Sequence, residues 1–208
     1  INFKKFLEFS KKYLNNNGKR LDFETEVEWN ESHRMLRTAF PVSIMSDSAS
    51  FDIQYGYAKR STHRNTSWDM ARFEVAAHKY VDLSDSDYGV ALLNDCKYGY
   101  KVFNNVLDLN LLRSPTHPDP DADQGKHLFT YSLLPHTGNL VESDVMRESE
   151  HLNAPVALYA GYEKANVHVP VLVESENVTL EVLKKAEKEN CIIIRVVENR
   201  GRTSNAKI

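Results

Sequence analysis

Cysteine is almost missing from these 208 residues, with Cys96 and Cys191 far apart and no others. Two such residues cannot build a disulfide framework, and they lack the neighbouring ligands that would spell out a two-cysteine zinc site. Both are expected to be reduced, buried thiols of a cytosolic protein. Glycine is scarce as well, with 8 residues, and neither a glycine-rich phosphate loop nor a GxSxG elbow occurs. No apolar run approaches the ~20 residues of a membrane-spanning helix, so no membrane partner is expected. The first residues are charged and aromatic rather than the basic and apolar regions of a signal peptide. Neither charge dominates: 26 Lys and Arg stand against 29 Asp and Glu, for a net charge of −3. The basic residues are scattered, which argues against a nucleic-acid partner. An initiator Met is lacking too, and Ala206-Lys207-Ile208 reads as the start of a strand, so both ends are expected to be cuts through a longer polypeptide.

What is present is alternation. Hydrophobic residues make up 41% of the chain, too many for disorder, and they recur with period two. Leu21, Phe23, Thr25, Val27 and Trp29 share one face, and Asp22, Glu24, Glu26 and Glu28 the other, which predicts a strand with one wet side. Asn17-Gly18 just before it is a hairpin signal, so residues 3–14 are expected to be its antiparallel partner. Further strands are expected over 36–44, 51–57, 73–80, 90–93, 106–112 and 128–134. Ser143 to Leu152 is the one fair helix, with Ser143 as its cap. Asn153-Ala154-Pro155 ends it, and a domain boundary is placed there, giving units 1–155 and 156–208. In the second unit, 178–182 and 191–197 read as strands, and Lys184 to Asn190 as a charged connector with room for one helical turn. Short strands between polar turns predict an all-β fold, an antiparallel β-sandwich.

Few motifs rise above this. Asp119-Pro-Asp121-Ala-Asp123-Gln-Gly125 opens like a calcium loop, but Gln124 and Thr130 occupy the positions that need Gly and Glu, so a solvated turn is expected. The eight histidines form no HExxH and no tight pair with a carboxylate at helical spacing, so no zinc site is expected in this chain; His63, His78, His127 and His136, at strand ends or beside aromatics, are expected to be hydrogen-bonded structural residues. Three Asn-X-Ser/Thr tripeptides, at Asn30, Asn65 and Asn177, mean little without a secretory signal. Trp68 reads as core, with stacking on a sugar as the second choice.

Three longer blocks are more specific. Thr62-His63-Arg64-Asn65-Thr66-Ser67-Trp68-Asp69-Met70-Ala71-Arg72-Phe73-Glu74 resembles a block of the cytosolic-type α-mannosidases of glycoside hydrolase family 38. Ala91-Leu92-Leu93-Asn94-Asp95-Cys96-Lys97-Tyr98-Gly99 with Leu111-Leu112-Arg113-Ser114-Pro115 resembles a second block. Asp123-Gln-Gly125-Lys-His127-Leu-Phe129-Thr-Tyr131 with Leu134-Pro135-His136 resembles a third. The resemblance is close over residues 19–155 and looser in the tail.

It implies a large β-sandwich of the galactose-mutarotase-like supersandwich kind with its first strands missing, followed by part of a smaller β-sandwich domain. It also implies a retaining α-mannosidase of the cytoplasm whose zinc and two catalytic carboxyls lie in an N-terminal barrel outside this chain. The expected partners are that barrel, a helical bundle after it and mannose-containing glycans; a homo-oligomer is left open. The isolated chain is then expected to be inactive and to hold no zinc. The candidates for the substrate cleft are Arg113, at the end of an apolar strand before Ser114-Pro115, and the pair Asn94 and Asp95, which can bind sugar hydroxyls or tie down a turn. Two other readings are carried alongside: a stand-alone carbohydrate-binding module, and a mutarotase-like sugar epimerase working through His and Glu.

Overall fold

The computed structural model describes residues 11–14, 19–155, 160 and 171–208. They fall into two compact units, one within Ile1–Asp52 with Ala58–Pro155, the other within Ile53–Tyr57 with Val156–Ile208. In chain order the strands are β1 (Lys11–Leu14), β2 (Leu21–Trp29), β3 (Leu36–Pro41), β4 (Ser48–Ile53) and β5 (Gly56–Ser61). A short helix α1 (Ser67–Ala71) precedes β6 (Val75–Ala76), β7 (Tyr80–Ser84), β8 (Tyr88–Asn94), β9 (Gly99–Phe103), β10 (Val106–Leu112) and β11 (Gly125–Thr137). The helix α2 (Val145–Asn153) closes the first unit, and β12 (Val178–Lys185) and β13 (Ile192–Glu198) belong to the second.

In the first unit one sheet runs β1-β2-β11-β8-β7-β4-β5 and a second runs β3-β10-β9-β6. Their facing sides share one core: Val27, Phe51, Leu83, Leu92 and Phe129 from the larger sheet meet Tyr100, Val102, Leu107 and Leu109 from the smaller. This is an all-β sandwich, as the alternation predicts. β2 shows why: Phe23, Thr25, Val27 and Trp29 are buried, while Glu24, Glu26 and Glu28 are exposed. β8 departs from that pattern because both its faces are covered. Leu92 enters the inter-sheet core, and Leu93 and Ala91 are buried outside it, on the side where α2 packs against β7 and β8. Val145 of α2 is fully buried there; the N-cap is Asp144 rather than Ser143, whose hydroxyl accepts from the Val145 amide at 3.2 Å.

Several expectations change. The strand over 51–57 is a hairpin of β4 and β5, because Tyr55 adopts φ 60° at the turn. The strand over 73–80 splits into β6 and β7: Asp52 takes the His78 amide on its carbonyl at 3.1 Å and the Lys79 amide on its carboxylate at 2.9 Å, diverting both from a ladder. β9 is an addition to the expected strands; it joins β10 through Asn104-Asn105, with Asn104 at φ 52°, the left-handed geometry that two-residue hairpins favour and Asn tolerates. Residues 11–14 do pair antiparallel with 21–24, while 3–10 and Asn17-Gly18 lie outside the described residues. Both cysteines are exposed rather than buried, since Cys96 sits in the turn after β8 and Cys191 in the link before β13. No helical turn forms at 184–190: β12 runs to Lys185 and bends follow.

In the second unit β12 and β13 form an antiparallel two-stranded sheet with an irregularity between Leu180 and Val182. Ile192, Ile193 and Ile194 are exposed on it. Among the described residues no helix is long and apolar enough to cross a membrane.

One polar device is built into the larger sheet. His136 on β11 lies opposite Gly89 on β8, and Gly89 lies opposite Ser84 on β7. The imidazole passes over Gly89 and places Nε2 2.7 Å from the Asp82 carboxylate, with both residues buried. A Cβ at Gly89 would stand 2.2 Å from the His136 ring, so only glycine leaves the path open. Gly89→Ala is therefore expected to break the pair and lower stability by about 2–4 kcal/mol, read from urea unfolding. Burial pulls the His136 pKa down, but the hydrogen bond and charge of Asp82 outweigh it and leave it raised above 6.5. A histidine with a raised folded pKa stabilises fully below its unfolded pKa, and that contribution fades as pH rises through the folded value. Unfolding midpoints compared at about pH 6 and about pH 9 should show a loss at the higher pH that His136→Gln lacks.

Candidate functional site

The candidate residues cluster on two connections that flank β11. The first is the turn after β8. Asn94, 1% exposed, directs its Nδ2 at the His78 carbonyl at 3.0 Å and at the Tyr100 hydroxyl, and its Oδ1 accepts from the Cys96 amide at 2.9 Å and from the Lys97 amide. Its own carbonyl takes a hydrogen bond from Asn153 of α2 at 3.0 Å. Every donor and acceptor of that amide is engaged inside the domain, so Asn94 fixes the turn and ties it to β9 and α2. Asp95 sits beside it, its Oδ2 accepting from the Thr130 amide of β11 at 2.8 Å. Its Oδ1 is buried without a partner. Partial desolvation and Asp95 push the Cys96 thiol up to about 11, so it is a neutral thiol near pH 7 and no ready nucleophile.

The second connection leads from β10 into β11. Asp123 Oδ2 accepts from the Arg113 amide at 2.8 Å and the Ser114 amide at 3.0 Å. Burial alone would raise the Asp123 pKa, but these two amides and the charges of His127 and Lys97 hold it low. Ser114, at φ 48°, accepts the Trp29 indole N–H on its hydroxyl at 2.5 Å, which anchors the loop to β2. Arg113 is thus fixed by its backbone while its guanidinium is exposed. Among the described residues it has no ion pair, to a nearby aspartate or otherwise. No hydrogen bond joins it to Asn94 or Asp95, so the structure gathers the latter two in one turn and leaves Arg113 apart. The 119–125 segment is the solvated turn expected of it, with Asp119 Oδ1 accepting from the Asp121 amide at 3.0 Å.

The segment around α1 holds what sequence reasoning placed wrongly. Trp68 is 83% exposed, and Met70 and Phe73 are exposed with it. The helix has five residues and buries none of them, so it has no inner face to receive the indole. What orders it is polar: the Thr66 hydroxyl caps the Asp69 amide at 3.1 Å, and the Asp69 carboxylate accepts from Ser61 at 2.5 Å and Thr66 at 2.7 Å. Those hydrogen bonds hold Asp69 below the usual carboxylate range. No group of three or more His, Cys, Asp or Glu side chains among the described residues is placed to hold a metal ion.

The comparisons with known proteins agree with the family that the sequence resembles. The family model "Glycosyl hydrolases family 38 C-terminal domain" matches residues 3–121. Alpha-mannosidase G of Dictyostelium discoideum is 43% identical over 195 residues, covering 89% of this chain and 18% of that protein. Alpha-mannosidase 2C1 of Mus musculus is 46% identical over 184 residues, 86% of this chain and 18% of that protein. Alpha-mannosidase of Saccharomyces cerevisiae is 37% identical over 210 residues, 91% and 19%. A glycosyl hydrolase family 38 protein of Enterococcus faecalis superposes with a TM-score of 0.79 over 93% of this chain and 24% of its own, at 17% identity. The chain thus spans about a fifth of the length of the curated relatives it matches. It belongs to glycoside hydrolase family 38, and what it carries is the C-terminal domain found in α-mannosidases.

Proposed function

We propose that this chain is the C-terminal β region of a retaining, zinc-dependent α-mannosidase that removes terminal α-mannose from glycans or oligosaccharides. The observation that carries the reading is the 37–46% identity to α-mannosidases over most of the chain. In this reading the catalytic barrel and the helical bundle belong to the rest of the polypeptide, which acts in the cytoplasm. Zinc held in the barrel supplies a Lewis acid for the mannose hydroxyls. The C-terminal chain supplies a rigid wall. Its sandwich core fixes β10 and β11, and the loop between them presents Arg113. A guanidinium held by its backbone and unpaired at its head has donors free for sugar hydroxyls or for a carboxylate of the barrel. Asn94 and Asp95 serve this reading as the turn that sets β8 against β11.

Two outcomes test it. The 208-residue chain alone is expected to hydrolyse no aryl α-mannoside and to contain no stoichiometric zinc; zinc near one equivalent together with turnover would sink the division of labour. In the full-length enzyme, Arg113→Ala is expected to lower kcat/KM about 10- to 100-fold, the loss of a charge-assisted hydrogen bond. The Tm should stay unchanged and Arg113→Lys should fail to restore the rate. Unchanged kinetics would leave Arg113 as scaffold.

A further inference from the structure

A small pocket lies in the first unit between the start of α1 and the strands β5, β6 and β9, and the reading above does not use it. Its charged lining includes Arg60, His63, Arg64, Asp69, Arg72 and Glu74. The two carboxylates are already engaged: Asp69 by Ser61, Thr66 and Arg72, and Glu74 by Arg37. Two of the cations are not. The Arg60 guanidinium lies 4.8 Å over the Phe51 ring and that of Arg64 lies 4.6 Å over the Phe103 ring, and neither has an ion pair among the described residues. Stacking on a ring holds a guanidinium's plane and leaves its N–H edge free.

Nη1 of Arg60 is fully buried with no acceptor. A charged donor shut away from water without a partner is an expensive arrangement. Desolvation, and then repulsion from Arg72, push the Arg60 pKa down, as expected where positive charge is gathered without its counter-charge. The pocket is also small, with a cavity volume of about 20 Å³, against ~10–15 Å³ for a single water. A planar carboxylate matches the N–H edge of a guanidinium and is the smaller of the two oxyanions that arginine commonly holds, the other being phosphate.

We propose that this pocket binds a carboxylate group, which accepts from Arg60 inside and from Arg64 at the rim. The shared chemistry is the carboxylate, carried by a free small acid or by an Asp or Glu side chain of the longer polypeptide. The site stands on its own geometry and does not depend on the mannosidase reading.

The test is a titration of sodium formate into the 208-residue chain in low-chloride buffer, followed by thermal unfolding. A saturable rise in Tm is expected, weakened about tenfold or more in Arg60→Gln and unchanged in Lys59→Gln, which removes an exposed charge next to the pocket residue. Should Arg60→Gln not fold, Arg64→Gln decides in its place, with a weaker response expected. A linear rise, an equal response in the Arg60 and Arg64 variants, or saturation by phosphate at the same concentration would overturn the proposal; so would no response, which assigns the pocket to an ordered water. The same titration on the full-length polypeptide separates the sources. A retained formate response marks a free acid, and a lost response with a lower Tm in Arg60→Gln marks a carboxylate side chain already seated.

Discussion

The register of β11 is the constraint on which the rest of the first unit depends. Residues 125–133 pair with β2 on one side and 131–137 with β8 on the other, and all three strands have a face that must be buried. Because side chains alternate, a slip of one residue would turn Phe129 out of the core and an exposed neighbour in. The polar devices are tied to that register. Asp123 holds the loop that enters the strand, Asp95 accepts from the amide at Thr130, and His136 reaches Asp82 from the far end. Each would lose its partner if the strand moved.

Strands that stand in the chain as clear alternation are legible from the order of residues alone. β2 and β10 sit where Leu21–Trp29 and Val106–Leu112 place them, because their inward residues are apolar and their neighbours polar. What is not legible depends on single backbone geometries. Tyr55 turns with a positive φ that nothing in its chemistry announces, whereas Asn104-Asn105, a pair tolerant of that region, is a signal that alternation alone passes over. The exposure of Cys96 and Trp68 is hidden for a related reason. Composition says such residues are usually inside, and only the placement of a turn and of a five-residue helix overrides it.

The candidate residues divide in the same way. Asn94 can be marked as a polar residue after an apolar strand, but its saturation by His78, Tyr100, Cys96 and Lys97 comes from three segments meeting at one amide. The position of Arg113 at a strand end is readable, and the role of Asp123 in fixing its backbone is not. Arg60 is the extreme case. Whether an arginine is paired depends on where every nearby carboxylate is already committed, and Asp69 is taken by hydroxyls as well as by Arg72. No spacing rule carries that information.

The two-stranded sheet of β12 and β13 bears on how this chain behaves in a tube. Three successive isoleucines exposed on a two-stranded ribbon combine high β-propensity with low charge, features that favour cross-chain strand addition. Arg195 follows immediately and is the nearest charged break in that run. This ribbon is therefore one place where copies of the chain can associate at high concentration. A polar replacement at Ile192, its most exposed isoleucine, is the economical way to keep preparations monodisperse without touching the first unit.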